Sequence, residues 1–265
     1  MNDQHSSFGG TEIIPLPAFR DNYLWLLRRG GAAVVVDPGD AEVVEDYLSA
    51  QRLALSAILI THHHPDHIGG LEALCAHRSI PVYGPAAEPI AGVNRPVSEG
   101  EGDRVEVPEL ELHLQVLQVP GHTRTHIAYY APGMLFCGDT LFSAGCGRLL
   151  GGTAAQLHGS LQRLAALPDD TAVFCTHEYT LANLAFARHA EPQNAARDAW
   201  LTECEALRAT GRPTLPSSIG REKRINPFLR TGEPGVIAAV SARSGARPAG
   251  SLECFAALRA WKDVF

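Results

Sequence analysis

Thr61-His62-His63-His64-Pro65-Asp66-His67-Ile68-Gly69-Gly70 decides the reading of this chain. Within six residues it sets three imidazoles and a carboxylate at His62, His64, His67 and Asp66. Imidazole is the commonest protein ligand for borderline metals, and a neighbouring carboxylate adds charge and hardness. Ala57-Ile58-Leu59-Ile60 before it is a short apolar run that reads as a buried strand. Ile68 to Cys75 after it has the apolar spacing of a helix. The histidines therefore occupy a strand-to-helix turn. In extended chain alternate side chains share a face, so His62 and His64 point together and His63 points away. Pro65 suits the first turn of a helix, where its missing N–H is not needed. Asp66 and His67 then project from that first turn. His63 is left to structural work outside the ligand set.

Other ligands should also stand just past strands, on a rigid scaffold. Three segments fit. Leu114 to Val119 alternates like a strand and runs into Pro120-Gly121-His122. Met134 to Cys137 runs into Gly138-Asp139-Thr140, and Thr171 to Cys175 into Thr176-His177-Glu178-Tyr179. His126 competes with His122 for the third imidazole but lies beyond the Pro-Gly turn. The set is then His62, His64, His67, His122 and His177 with Asp66 and Asp139. This is too many ligands for one zinc, which takes about four. Two divalent ions share them if Asp139 bridges: His62, His64 and His122 on one, Asp66, His67 and His177 on the other. Asp66 and Asp139 thereby belong to the catalytic machinery as well as to the ligand set. A hydroxide held between ions about 3.5–4 Å apart would be a strong nucleophile at neutral pH. The residual charge, about +1, suits an oxyanion developing on a substrate carbonyl. The ligand set suits zinc, and iron and manganese also accept it.

The remaining composition narrows the classes. The chain has 265 residues, 45% hydrophobic and 19% charged, an ordinary globular profile. The net charge is −7, with no basic tract, which speaks against a nucleic-acid partner. No apolar run approaches the roughly 20 residues that span a bilayer. The amino terminus lacks a basic region followed by an apolar one, so no secretory signal is read. Six cysteines are scattered without a Cys-x-x-Cys pair, as expected of a cytoplasmic protein without disulfides. Up to about residue 170 the pattern is strand-rich. Beyond His177 it is helical, at Leu181–His189, Ala195–Thr210 and Ser251–Lys262. Arg212 to Gly220 and Ser241 to Gly250 read as loops. A division into residues 1–175 and 176–265 follows, and the chain is expected to be a monomer.

Taken together, His-x-His-x-Asp-His followed by His122, Asp139 and His177 resembles the metallo-β-lactamase superfamily. Val34-Val35-Val36-Asp37-Pro38-Gly39 resembles its early strand ending in Asp-x-Gly, where Asp37 would brace the metal loop. The resemblance implies a four-layer αββα sandwich, an α/β (α+β) fold. Within the superfamily the chain resembles glyoxalase II, or hydroxyacylglutathione hydrolase, along nearly its whole length. The segments that carry this are Ile14 to Tyr23, Leu141 to Arg148, His177 to Leu184, Phe186 to His189 and Ile225 to Arg230. It implies a helical, substrate-binding carboxy-terminal domain. It also implies hydrolysis of S-D-lactoylglutathione to D-lactate and glutathione by a metal-bridging hydroxide, in methylglyoxal detoxification. By the same resemblance Arg148 and Tyr179 contact glutathione. Leu150 stands where members with an aromatic have tyrosine, which removes one hydroxyl contact. Some members carry basic residues after the Asn-Pro-Phe run. Here Arg221, Lys223 and Arg224 lie just before it and are expected to substitute. A β-lactamase, a lactonase, an iron-dependent persulfide dioxygenase or a nuclease of the superfamily would share the ligands. A non-catalytic metal-binding protein is the remaining class.

Overall fold

The computed structural model describes residues 6–100 and 104–265. Residues 1–5 lie outside it, and with them the reading of the amino terminus. The described chain forms two compact units. The first runs to Gln118 and takes in Thr125–Gly138; the second comprises Val119–Arg124 and Asp139–Phe265.

In the first unit a meander, β1 (Ser6–Phe8), β2 (Thr11–Ala18), β3 (Asn22–Arg29) and β4 (Ala32–Val36), is antiparallel throughout. The chain then passes through α1 (Ala41–Gln51) into β5 (Ala54–Leu59), which lies parallel to β4. Two short helices follow, α2 (Pro65–Ile68) and α3 (Leu71–Cys75), before the parallel strands β6 (Val82–Pro85) and β7 (Arg95–Val97). The sheet order is β1-β2-β3-β4-β5-β6-β7. On one face Leu24, Leu26, Val35, Ile58 and Ile60 pack with Val44 and Leu48 of α1 and Leu71 and Leu74 of α3. The alternate residues Trp25, Leu27, Val34, Val36 and Leu59 are buried too. Strands buried on both faces read as near-continuous apolar runs, as β4 and β5 do. Strands β8 (Arg104–Val107), β9 (Leu112–Gln118), β10 (Ile127–Ala131) and β11 (Met134–Gly138) make a second antiparallel meander. It is tied to the end of β5 by Tyr129 Oη donating to the Ile60 carbonyl at 2.8 Å and Ile127 N donating to that of Thr61 at 3.0 Å.

The helix expected over Ile68 to Cys75 is broken after Ile68. Gly70 N donates to the Pro38 carbonyl at 2.9 Å. A Cβ on Gly70 would stand 2.5 Å from that oxygen, so the close approach of two backbones splits the helix.

The second unit begins with the hairpin β12 (Leu141–Phe142) and β13 (Gly145–Cys146). Helix α4 (Ala154–Ala165) follows, capped by Thr153 and Gln156, and then β14 (Ala172–Cys175). Helices α5 (Thr180–Ala190) and α6 (Ala195–Ala209) pack together. Leu184, Trp200, Cys204, Ile225 and Ala144 form their common core. Arg212 to Gly220 is not all loop. Ser217–Ser218 form β15, which pairs with β14, and Ser218 caps α7 (Ile219–Ile225). Nor is Ser241 to Gly250 all loop. Helix α8 (Pro234–Ser244) starts on a proline and stops at Gly245, whose φ of +76° ends it. Helix α9 (Ser251–Asp263) closes the chain and packs on α4 and α8. The continuous part of the second unit thus runs from Asp139, where α4 and the β12–β13 hairpin pack with the late helices.

Candidate metal centre

Parallel strands place the first candidate ligands. Asp37 directly follows β4 and Thr61 stands two residues past β5, so they meet at the carboxyl ends of neighbouring strands, where ligands collect in such sheets. Asp37 is buried and has a left-handed φ of 51°, which aspartate tolerates better than most residues. One of its oxygens accepts from Thr61 N at 2.7 Å; the other accepts from Thr61 Oγ1 at 2.7 Å and from His67 Nδ1 at 3.0 Å. Thr61 has thus spent its hydroxyl proton and can only accept from His62 Nδ1, 3.0 Å away. Both histidines therefore carry their proton on Nδ1 and present a lone pair at Nε2. Asp37 thus orients two candidate ligand imidazoles, His67 directly and His62 through Thr61, and falls in neither group of candidate ligand atoms.

His64 precedes α2, with Pro65 in the first turn. Its Nδ1 lies 3.0 Å from His62 Nε2. Two ligands on one tetrahedral zinc stand about 3.3 Å apart, so this separation fits a shared ion. Asp66 accepts from Asn22 Nδ2 at 3.0 Å through the oxygen that lies 3.6 Å from His67 Nε2. His63 turns away to Glu88, at 2.8 Å from Oε2, and Glu88 also accepts from the Thr125 hydroxyl. His126 stacks on His62 at 4.5 Å and donates from Nδ1 to the Ile127 carbonyl at 3.0 Å. It packs against a candidate ligand and belongs to neither group of candidate ligand atoms.

His122, Asp139 and His177 come together within the second unit. Gly121 before His122 has φ +149°, and a Cβ there would stand 2.4 Å from the backbone of Leu157, so only glycine fits. His122 Nδ1 donates to the Arg148 carbonyl at 2.8 Å, which again leaves Nε2 as the lone-pair nitrogen. Asp139 offers one oxygen to each partner: Oδ2 is 3.4 Å from His122 Nε2, and Oδ1 is 3.5 Å from His177 Nε2. The Tyr179 ring stacks on His177 at 4.6 Å, and Phe142 meets both edge-on. The hairpin bearing Phe142 is held by buried Glu222, which accepts from Ala144 N at 2.8 Å and Asn226 Nδ2 at 3.0 Å. Burial pushes the Glu222 carboxyl above the usual carboxylate range.

One ligand atom from each of His62, His64, His122 and Asp139 lies within 4.8 Å of the others, and the same holds for Asp66, His67 and His177. This His/Asp cluster could hold two metal ions. Two or three imidazoles and one carboxylate per group, with three of the five imidazole tautomers set by hydrogen-bond partners, is the donor chemistry such ions need.

The residues expected to touch substrate divide. Arg148 is exposed, with Nε 3.5 Å from Asp263. Tyr179 is partly exposed beside His177. Arg221, in contrast, lies flat on Trp200 at 3.6 Å, and Lys223 pairs with Asp169 at 2.7 Å. The Arg224 side chain is exposed, and its carbonyl accepts from Asn194 at 2.8 Å. Two basic residues that sequence reasoning passed over precede Asp263, the ion-pair partner of Arg148, in the last helix. Buried Arg259 donates to the carbonyls of Cys146 at 3.0 Å and Gly147 at 3.3 Å, and pairs with Asp263 at 2.9 Å. Lys262, one turn on, is pushed down to about 8 by burial, with Arg259 adding to the shift. The signal was there: two cations three residues apart in the last helix.

Two family descriptions match consecutive parts of the chain. Residues 19–177 match the metallo-beta-lactamase superfamily. Residues 178–265 match the family described as hydroxyacylglutathione hydrolase C-terminus. A relative from Chromohalobacter salexigens named hydroxyacylglutathione hydrolase is 55% identical over 258 residues, covering 96% of this chain and 99% of its own. The crystal structure of ETHE1 from Myxococcus xanthus is similar with a TM-score of 0.61 and 27% identity, over 100% of this chain and 99% of that one. TTHA1623, solved in a di-iron-bound form, is similar with a TM-score of 0.57 and 26% identity, over 82% of this chain and 100% of that one.

Proposed function

The chain belongs to the hydroxyacylglutathione hydrolases of the metallo-β-lactamase superfamily, and we propose that it works as a binuclear metallohydrolase on S-D-lactoylglutathione. The fold is that of the superfamily, with mixed sheets and helices and a helical carboxy-terminal part. The enzyme is a thioester hydrolase: an S-(2-hydroxyacyl)glutathione and water give a 2-hydroxy acid and glutathione. In the proposal His62, His64 and His122 hold one divalent ion, Asp66, His67 and His177 hold the other, and Asp139 is shared. The observation that carries it is the Asp139 carboxylate, with one oxygen toward His122 and one toward His177. Zinc is the proposed metal. When bound, such ions would supply a nucleophilic hydroxide at neutral pH and positive charge against a developing oxyanion.

The chain's own residues set the conditions for this. Asp37 and the Arg148 carbonyl fix which imidazole nitrogen faces the ions. Asn22 holds the Asp66 carboxylate. Arg148 and Tyr179 are the proposed glutathione contacts. Arg221, Lys223 and Arg224 are proposed as further contacts, with Arg221 lying on Trp200 and Lys223 paired with Asp169 as Arg148 is with Asp263. The departing thiolate has an ordinary pKa near ~8.5 and leaves without a dedicated general acid. The same reading divides the chain at residue 175 into a catalytic and a substrate-binding domain. It makes the protein a cytoplasmic monomer with no nucleic-acid or membrane partner. Among the described residues no helix is long and apolar enough to cross a membrane.

Incubating zinc-loaded protein with S-D-lactoylglutathione should remove the thioester absorbance, and chelation should stop it. Metal-replete protein that leaves the thioester intact would overturn the proposal. Arg148→Ala should raise KM about tenfold, the worth of one charge-assisted hydrogen bond, with kcat within about twofold. A fall in kcat at unchanged KM would remove Arg148 from binding.

A further inference from the structure

We infer that the β2–β3 turn is a recognition element of this enzyme, with Phe19 forming the apolar wall against which the acyl group of the thioester packs; this rests on the thioesterase reading. Ala18 pairs with Asn22, so Phe19, Arg20 and Asp21 alone close the hairpin. Phe19 has a φ of +52°. Glycine, asparagine and aspartate take that left-handed conformation cheaply, and a bulky aromatic does not. Burial does not repay the strain, because Phe19 is 58% exposed. A strained, exposed aromatic in a tight turn is an outlier whose gain lies in what it touches.

Its surroundings say what that is. Phe19 Cε2 lies 2.9 Å from the point where a Cβ on Gly39 would stand, and the Asp66 carbonyl oxygen lies 1.8 Å from the same point. The ring therefore rests on the Gly39 backbone beside the start of α2. Only glycine at position 39 lets the two segments come this close. At the other end of the turn Asn22 donates to the Asp66 carboxylate at 3.0 Å. One short turn thus holds a metal-ligand candidate and sets an exposed ring next to it. The scissile carbonyl has to approach the metal ligands. The part of the substrate next to that carbonyl is the acyl chain. The glutathionyl ends are charged and gain little from a phenyl face, whereas the hydrocarbon of the acyl group gains by leaving water.

The test compares zinc-loaded wild type and Phe19→Ala on glutathione thioesters of glycolic, lactic and mandelic acid. Each buried CH₂ equivalent is worth about a fourfold change. The variant should lose about two- to fourfold in kcat/KM on the lactoyl ester and about tenfold on the mandeloyl ester, and should match wild type on the glycoloyl ester. Metal content should not change. Equal loss on all three, or none, would overturn the inference. Phe19→Gly serves as the control for strain: its thermal midpoint should hold or rise while the acyl preference flattens. A fallen midpoint with the preference intact would make Phe19 merely structural. Direct binding separates this inference from the thioesterase reading. S-hexylglutathione should bind wild type more tightly than Phe19→Ala, and glutathione should bind both equally. If no thioester is cleaved, the reaction assignment fails, and the binding pair still decides for or against Phe19.

Discussion

Asp139→Asn should lower kcat at least about a thousandfold and take metal content from two ions per chain to one or fewer. The change keeps the shape of the side chain and removes its charge. Asp139 is buried and faces His122 Nε2 and His177 Nε2 with different oxygens. An amide can offer a lone pair on one side only. The other side would present N–H groups toward an imidazole lone pair, or toward a cation. The lost charge matters as much. Asp66 and Asp139 are the two carboxylates among the seven candidate ligands. Neutralising one would leave the two proposed dications poorly compensated in a site where most candidate ligand side chains are buried. Metal analysis beside single-turnover assays reads both effects. An Asn variant that kept two ions and full activity would show that Asp139 is not shared.

The site was legible wherever chemistry and periodicity coincide in a short stretch. His62 and His64 stand two apart in extended chain, and Pro65 marks the turn into a helix, so their common direction follows from backbone geometry alone. His122, Asp139 and His177 each follow an apolar strand, and that shared context lifts an otherwise ordinary Gly-Asp-Thr. What was not legible depends on pairing between distant segments. Asn22 reaches Asp66 across 44 positions, and Arg259 reaches Cys146 across 113. Nothing in the local sequence of either marks the partner. Arg221 and Lys223 look like substrate residues by charge. Their real neighbours, Trp200 and Asp169, are set by how α7 packs. Elements without amphipathic contrast were also missed. Helix α8 begins Pro-Gly and is rich in small residues, and β15 has only two residues, too short for any alternation.

Asp37→Ala and Asp37→Asn should fail in different ways, and the difference tests how the centre is built. Alanine removes an acceptor of three hydrogen bonds, two from Thr61 and one from His67. All three donors are buried, so their desolvation is not recovered, and the loss is about 3 kcal/mol of stability. Asparagine keeps the shape. Its carbonyl can still accept from Thr61 N, but its NH₂ then faces Thr61 Oγ1 and His67 Nδ1. The Thr61 hydroxyl oxygen has two lone pairs, so it can accept from the amide while still accepting from His62 Nδ1. His67 can accept the amide proton at Nδ1 only by moving its own proton to Nε2. Each adjustment satisfies the fold, and the second takes the lone pair from the nitrogen that faces the proposed ion. The expected result for Asp37→Asn is therefore a metal-free protein whose stability falls by no more than about 1 kcal/mol, with zinc affinity lowered about 10- to 100-fold and activity reduced with it. Denaturant unfolding of metal-free protein and a competitive zinc titration measure the two quantities separately. If Asn preserved zinc affinity, the tautomers would not be set by Asp37. If Asn destabilised the metal-free fold as much as Ala, Asp37 would act on folding and not on the choice of imidazole nitrogen.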